Sequence, residues 1–163
     1  MFIHDKGDAY HWTAPQPDGE GGYHCMLSAA RHAGVKPTDV GLVTFHATGT
    51  MAGDRAESVA VKRFCGDAIE NTWMLATKAA TGHLVAASGA IEAMFALKSA
   101  QEGVIPPMPN LTRPDPVFLD GPMPLFPSGR EPREWKQKRR VVIKNSFGFT
   151  GTNASVVFSN FLD

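Results

Sequence analysis

Apolar positions along the chain alternate between helical and strand-like spacing. Residues 18–34 carry apolar side chains at a helical period, beginning with Tyr23 and Met26, and Gly34 is a natural stop, so they predict a first helix. Residues 41–47, GLVTFHA, form a short apolar run that is typical of a buried strand. This alternation of helix and strand indicates an α/β fold.

The pattern continues with two more helices and a second strand. A second helix is predicted to begin near Gly53, with Asp54 as its N-cap and Glu57 three residues on, in the spacing of a capping box. Residues 72–77, TWMLAT, predict the next strand. Residues 82–103 are so rich in alanine and glycine that they predict a central, buried helix in close contact with its neighbours.

Proline dominates the segment that precedes the last strands. Nine of the twelve prolines lie in residues 104–132, which excludes regular helix and interior strand and predicts an ordered connection along the surface. Residues 130–140 hold six basic and two acidic residues, either as an ordinary solvated loop or as a docking patch for an acidic partner. Residues 140–161 read as strand, glycine-containing loop and strand, which predicts a closing hairpin.

Composition and charge narrow the classes of function. A chain of 163 residues has the length of one domain, and sixteen basic residues balance sixteen acidic ones, so no net field favours nucleic acid or an anionic membrane. Apolar runs are too short to span a bilayer, and the first thirty residues lack a signal sequence, so we expect an intracellular protein. Cys25 and Cys65 indicate neither a disulfide framework nor a zinc site.

Two histidines occupy positions that suit catalysis. His46 lies at the end of the strand over residues 41–47, where open α/β folds bind their ligands. His83 opens the predicted third helix, where the helix dipole disfavours the protonated ring, and Lys78 adds positive charge if it lies near. Two neutral imidazoles that converge on one carbonyl oxygen would stabilise an enolate beside a thioester or a ketone.

Other interpretations of the histidines remain open at this point. Both rings could be satisfied core or surface groups with no role in chemistry. A metal site built from His46, His83 and a carboxylate is disfavoured, because neither histidine belongs to an i, i+4 pair or to a compact ligand cluster. No metal is therefore expected.

Four segments, in order along the chain, resemble the β-ketoacyl synthases that elongate fatty acids. They are GDAYHWTAP at residues 7–15, FHATGTMAGDRAE at 45–57, the stretch from TKAATGH to TRPDP at 77–116, and KNSFGFTGTNASVVF at 144–158. The resemblance implies a thiolase-like fold, with a mixed sheet packed between helices and a closing β-hairpin. It also implies that residues 1–163 are the carboxyl-terminal domain, without the amino-terminal half that carries the nucleophilic cysteine.

The resemblance assigns roles to individual side chains. His46 and His83 resemble the two histidines that support decarboxylation of malonyl-carrier protein and condensation, and Lys78 resembles the lysine that orders their site. Glu92 resembles the buried carboxylate partner of that lysine, and Asn145 is a supporting residue of the closing motif. For Lys78 and Glu92 a purely structural ion pair is an equally good interpretation.

Further assignments concern the substrate path. Thr13, Thr48 and Thr50 resemble the hydroxyls that line the tunnel for the phosphopantetheine arm, although threonines are also ordinary turn-formers. Phe149 resembles the aromatic gate between the nucleophile and the acyl pocket, and the alternative is one more core phenylalanine. Neither Cys25 nor Cys65 is expected at a helix amino terminus, so neither is expected to be the nucleophile.

The chain departs from the family pattern at two pairs of positions. Ala47 and Thr150 stand where the family usually has glycine, so the turn after His46 must tolerate a β-carbon and the gate loop loses freedom. Ala79 and Ala80 replace a serine and a methionine, a change that affects packing rather than chemistry.

The resemblance implies 3-oxoacyl-[acyl-carrier-protein] synthase activity in fatty acid biosynthesis, with acyl carrier protein as partner and a homodimer in the full-length enzyme. It implies no cofactor beyond substrates carried on phosphopantetheine, and a cytoplasmic or mitochondrial location. An alternative is a non-catalytic fragment or partner that binds a carrier protein or a complementary half. A thiolase or an initiating synthase is a weaker option, since neither is expected to carry this histidine pair.

Overall fold

The computed structural model describes residues 2–7 and 10–161. These residues form seven strands and four α-helices. The strands are β1 (Phe2–Gly7), β2 (Val40–Thr44), β3 (Trp73–Leu75), β4 (Val104–Ile105), β5 (Arg133–Glu134), β6 (Val141–Phe147) and β7 (Thr152–Ser159). The α-helices are α1 (Glu20–His32), α2 (Met51–Cys65), α3 (Lys78–Thr81) and α4 (Ser88–Glu102).

Five of the strands form one mixed sheet in the order β1-β7-β6-β2-β3. Strand β2 is parallel to β3 and β6, whereas β7 is antiparallel to both β6 and β1. The closing hairpin predicted from residues 140–161 is confirmed as β6 and β7. Strand β1 was not predicted, because its pairing joins opposite ends of the chain and leaves no local pattern.

Helices cover both faces of the sheet, as the resemblance implied. On one face, α1 and α2 bury Met26, Ala60 and Phe64 against the sheet. On the other face, Ala96 and Ala100 of α4 contribute to a separate cluster with the sheet. Alternate side chains of each central strand point to opposite faces, so the apolar strands predicted from sequence are buried on both sides.

The N-cap of helix α2 lies four residues earlier than the sequence predicts. Thr50, in extended backbone, is its N-cap and accepts a hydrogen bond from the N–H of Gly53 at 3.3 Å. The prediction of Asp54 as N-cap is therefore wrong, and Oδ1 of Asp54 instead accepts from the N–H of Gly49 at 3.2 Å. Glu57, predicted to complete a capping box, is buried and turned toward the strand end.

The prediction of one helix over residues 82–103 is also wrong. Gly82 and Val85 adopt positive φ angles of 71° and 51°, which an α-helix does not accept, so α4 starts only at Ser88. Nor is α4 buried all round in the described part of the chain, because the sheet covers one face and leaves Met94 62% exposed on the other.

The proline-rich segment is ordered along the surface, as predicted. Leu125 exchanges backbone hydrogen bonds with Thr72 and Met74 at 2.9 Å each, so the segment extends the sheet beyond β3. In the basic stretch 130–140, Trp135 is buried, and Arg140 donates to the carbonyl oxygens at the end of α4. Within the described residues, no helix is both long and apolar enough to cross a bilayer.

Candidate active site

A carboxylate shapes the turn that carries His46. Oε1 of Glu57 accepts the backbone N–H of His46 at 2.8 Å, and Oε2 accepts that of Ala47 at 2.9 Å. Ala47 has a φ of 32°, so the turn does place a β-carbon in a strained conformation. Burial raises the pKa of Glu57 to about 7, while the two N–H donors act in the opposite direction.

Asn145 supports the same carboxylate from β6. Its side chain is fully buried, donates to Oε1 of Glu57 at 3.2 Å and accepts from the hydroxyl of Ser155 at 2.9 Å. The closing hairpin is thus connected to the His46 turn through two side chains. Sequence analysis did not predict that Glu57 binds the His46 turn, although this residue ends the motif at residues 45–57. The available signal was a glutamate among the inward-facing positions of α2.

The imidazole of His46 is held neutral. Its pKa is lowered to about 4, first by burial and then by the ammonium of Lys78. Nδ1 lies 3.4 Å from Nζ of Lys78, which only donates, so Nδ1 accepts and the ring proton resides on Nε2. Lys78 also donates to the backbone carbonyl of His46.

The tautomer of His83 is set by a loop and not by a helix terminus. Its Nδ1 accepts the backbone N–H of Val85 at 3.0 Å and lies 3.2 Å from Oγ of Ser88. The ring proton therefore resides on Nε2 here as well. His83 lies five residues before α4, so the prediction that it opens this helix is wrong.

The two predicted histidines converge. Their ring centroids lie 5.6 Å apart with an angle of 86° between the ring planes. His46 is half-buried and His83 is exposed, so the pair opens to the surface of the described chain. Two N–H donors at this separation can approach one small oxygen atom from two sides.

An ion cluster lies behind the histidines. Lys78 donates to Oε1 of Glu92, and both side chains are largely buried. The second oxygen of Glu92 lies 2.9 Å from Nζ of Lys144 on β6. The structure thus brings together the two residues predicted from sequence and adds Lys144, which sequence analysis missed. The available signal was a lysine inside the apolar strand VVIKN.

Two of the three predicted threonines contact each other. Oγ1 of Thr48 and Oγ1 of Thr50 lie 3.2 Å apart at the start of α2. Thr13 is exposed on a separate loop, where its N–H donates to Nδ1 of His11 at 3.2 Å. Asp8 and Ala9, which belong to the motif around Thr13, lie outside the described residues.

Phe149 is 73% exposed in the described part of the chain, so it does not belong to the core there. The next residue, Thr150, has a φ of 65°, and its N–H donates to the carbonyl of Trp12 at 2.8 Å. The loop after β6 is therefore connected to the loop that carries Thr13.

Neither described cysteine is suited to act as a nucleophile. Cys25 is fully buried in the middle of α1, and its Sγ lies 3.3 Å from the carbonyl oxygen of Asn153. Burial raises the pKa of Cys65, at the end of α2, to about 12. Nor do the described residues contain a group of three or more His, Cys, Asp or Glu side chains placed to hold a metal ion.

Comparison with known proteins identifies the family. Residues 3–112 match the model of the β-ketoacyl synthase C-terminal domain. The chain is 41% identical over 156 residues to 3-oxoacyl-[acyl-carrier-protein] synthase 2 of Rhizobium meliloti (strain 1021), covering 96% of this chain and 35% of the relative. It is 42% identical over 157 residues to the mitochondrial 3-oxoacyl-[acyl-carrier-protein] synthase of Arabidopsis thaliana, covering 95% and 33%. The chain thus spans about a third of the length of these relatives.

Solved structures agree on the fold. A type II polyketide ketosynthase, in complex with its acyl-carrier protein and bound to the hexaketide, superposes with a TM-score of 0.86 at 26% identity, over 99% of this chain and 38% of that one. The ishigamide ketosynthase/chain length factor superposes with a TM-score of 0.84 at 30% identity, over 98% and 37%. The thiolase-like fold is therefore confirmed, and the chain belongs to the family of β-ketoacyl synthase C-terminal domains.

Proposed function

We propose that this chain supplies the histidine pair of a 3-oxoacyl-[acyl-carrier-protein] synthase, which joins an acyl thioester to a malonyl unit with loss of carbon dioxide. The observation that carries the proposal is the 5.6 Å separation of the His46 and His83 rings, with each Nδ1 facing a donor. Both Nε2 atoms then carry a proton, and two neutral N–H donors on one oxygen stabilise developing negative charge.

The histidines act in the decarboxylation step. The bond between the malonyl carboxylate and its α-carbon breaks, carbon dioxide leaves, and the electron pair remains as a thioester enolate. The enolate oxygen accepts hydrogen bonds from His46 and His83. The enolate carbon then attacks the carbonyl of the acyl thioester, whose sulfur leaves as a thiolate. With a pKa near 4, His46 is neutral at neutral pH and donates a hydrogen bond without losing its proton.

The thiol that holds the acyl group belongs, in this proposal, to a complementary segment or chain. Cys25 is buried within a helix and Cys65 has a pKa of about 12, so neither provides a thiolate. The substrates arrive on the phosphopantetheine arm of an acyl carrier protein, past the hydroxyls of Thr48 and Thr50, with Phe149 as the gate. Thr13 as a further tunnel residue, a homodimer, and a cytoplasmic or mitochondrial location stay predictions.

The test measures the release of labelled carbon dioxide from malonyl-carrier protein. It compares the unsubstituted 163-residue chain with its His46→Ala and His83→Ala variants. Each substitution is expected to lower decarboxylation roughly 100-fold, as loss of one oxyanion donor does. The double variant should be little worse than the poorer single one, because both rings serve one oxygen. His24→Ala is the matched control, since His24 pairs with Glu20 on the surface of α1.

A binding measurement keeps the test decisive if turnover by this chain alone is weak. Addition of malonyl-pantetheine should shift the ring NMR signals of both His46 and His83, and leave those of His24 in place. Carbon dioxide release that is independent of both histidines, or ring signals that do not respond, would contradict the proposal. Mass spectrometry should find no acyl group on Cys25 or Cys65, and no 3-oxoacyl product without a complementary chain.

The exposed face of α4 favours a second candidate, a non-catalytic module that binds a complementary half or a carrier protein. Met94, Leu97 and Val85 are exposed on or just before this helix. Decarboxylation that responds to the two histidines would reject this candidate. Binding to a carrier protein without any reaction would support it.

A further inference from the structure

Lys144 is a buried cation that the proposed reaction does not use. It lies on β6 in the interior of the sheet, is only 2% exposed, and has the largest of the fully buried side chains described. Its strand neighbours, Thr44 on β2 and Val156 on β7, are uncharged. Its Nζ contacts Oγ of Ser146 and lies 2.9 Å from Oε2 of Glu92. A buried ammonium group is strongly unfavourable without an opposite charge, so Glu92 is required to compensate it.

Glu92 is shared between two lysines. Oε1 accepts a hydrogen bond from Lys78, whereas Oε2 forms an ion pair with Lys144 that lacks hydrogen-bond geometry. One carboxylate balances one ammonium group, so the cluster of Lys78, Glu92 and Lys144 has one excess positive charge when both lysines are protonated.

The approach of α4 to β6 at this point depends on a glycine. A β-carbon at Gly89 would lie 3.2 Å from Oγ of Ser146 and 3.9 Å from Nζ of Lys144. The first of these distances is tighter than an ordinary contact. The helix thus comes close enough for its next turn to bring Glu92 against the lysine.

The charged groups around Lys144 come from three helices. Burial lowers the pKa of Lys144, and the ammonium of Lys78 on α3 adds to that effect. Glu92 on α4 and, more weakly, Glu57 on α2 act in the opposite direction. In turn, Lys144 is one of the positive charges that lower the pKa of His46, after burial and Lys78.

We propose that Lys144 is a positioning residue of this site: it holds Oε2 of Glu92, so that Oε1 stays directed at Lys78 and Lys78 stays bound to the carbonyl of His46. A chain of contacts then runs from β6 through α4 and α3 to the His46 turn. The catalytic meaning of this assignment rests on the proposed function, whereas the ion cluster itself does not.

The experiment follows the titration of the His46 ring by NMR in the 163-residue chain and in two variants at Lys144. In Lys144→Met the midpoint should move upward from about 4, because a positive charge is lost and Lys78 is held less firmly. Lys144→Arg, which keeps a positive charge beside Glu92, should return the midpoint toward that of the unsubstituted chain. Lys98→Met, on the exposed face of α4, is the control and should leave it unchanged.

A measurement on the unsubstituted chain decides the matter if the variants do not fold. The side-chain carbon next to Nζ of Lys144 should titrate below the ordinary pKa of a lysine, because Lys144 is buried beside a second lysine. A Lys144 that titrates at the ordinary pKa of a lysine, or a folded Lys144→Met in which His46 titrates as before, would overturn the assignment. If His46 shifts as expected in the variants but carbon dioxide release does not depend on His46 or His83, the result would instead count against the proposed function alone.

Discussion

A single carboxylate determines the conformation of the turn that carries the first histidine. Glu57 accepts the N–H groups of His46 and Ala47 and the side-chain amide of Asn145, all from inside the protein. Burial nevertheless raises its pKa to about 7. The protonation state of Glu57 therefore changes near neutral pH, in contact with the His46 turn.

Replacing Glu57 with glutamine should change how stability depends on pH. The folded-state pKa of about 7 lies above the ordinary 4.5, so the folded chain binds more protons between these values and loses stability as pH rises through them. In Glu57→Gln this loss of stability with rising pH should be absent. In the unsubstituted chain it amounts to at most about 3 kcal/mol across this pH range. Urea unfolding at a series of pH values measures the free energy of unfolding of both proteins.

The comparison must be between variant and unsubstituted chain, because His46 acts in the opposite sense. Its folded-state pKa of about 4 lies below the ordinary 6.5, so it adds stability as pH rises between these values. Glu70→Gln, at an exposed position, is the control for removal of a carboxylate. Parallel stability curves for Glu57→Gln and Glu70→Gln would show that Glu57 titrates normally.

Thr150 should be a strained residue. A β-branched side chain at a φ of 65° is unfavourable, and glycine adopts this conformation freely. Thr150→Gly is therefore expected to raise the free energy of unfolding by about 1 kcal/mol, although part of the gain is offset by the greater freedom of the unfolded chain. Thr152→Gly, at a φ of −75°, should instead be destabilising. Equal losses in both variants would exclude strain at Thr150.

At the scale of elements, the start of α2 contains two hydroxyls with different contacts. Thr50 is the N-cap, whereas the hydroxyl of Thr48 lies 3.2 Å from that of Thr50 and does not cap the helix. Thr50→Ala should lower the free energy of unfolding by about 1 kcal/mol, and Thr50→Ser should retain most of it. Chemical unfolding of the purified chain gives the values.

Thr48→Ala is the matched control for this prediction, and a change below about 0.5 kcal/mol is expected, as at an ordinary surface site. A larger loss at Thr48 than at Thr50 would mean that the cap is wrongly assigned. Both hydroxyls remain available as contacts for a pantetheine arm, so a role of Thr50 in binding must be separated from its role in capping.

At the scale of the whole molecule, the outer face of helix α4 is left uncovered by the described residues. Helix α4 contacts the sheet through Ala96 and Ala100, while Met94, Leu97 and the preceding Val85 are exposed. We expect the 163-residue chain to self-associate through this face, since exposed apolar patches favour association. Met94→Glu should reduce the associated fraction in sedimentation velocity experiments several-fold.

Met123→Glu tests the same substitution away from α4. Met123 is exposed in the proline-rich segment, so its replacement should leave self-association largely unchanged. A monodisperse monomer at high concentration, or an equal response to both substitutions, would show that the α4 face does not drive association.

Much of the architecture followed from local patterns. Helix α1 was predicted correctly because burial on one face imposes a helical repeat, and β6 and β7 because two strand-like runs flank a glycine-containing loop. The four motifs were sufficient for the family. Element boundaries were less predictable: α2 begins at Met51 because the extended residue Thr50 caps it, and a capping-box spacing at Asp54 is a coincidence of residue type.

The sequence by itself determined the family, the α/β class and the histidines, because these depend on short motifs and on periodic burial. Only the tertiary structure decided that Val85 sets the tautomer of His83, that Glu57 holds the His46 turn, and that Lys144 shares Glu92 with Lys78. Each of these contacts depends on the conformation of a loop or joins separate elements. None of the three is visible as local spacing, since the backbone conformation after His83 decides the first contact, and strand pairing and helix packing decide which distant side chains meet in the other two.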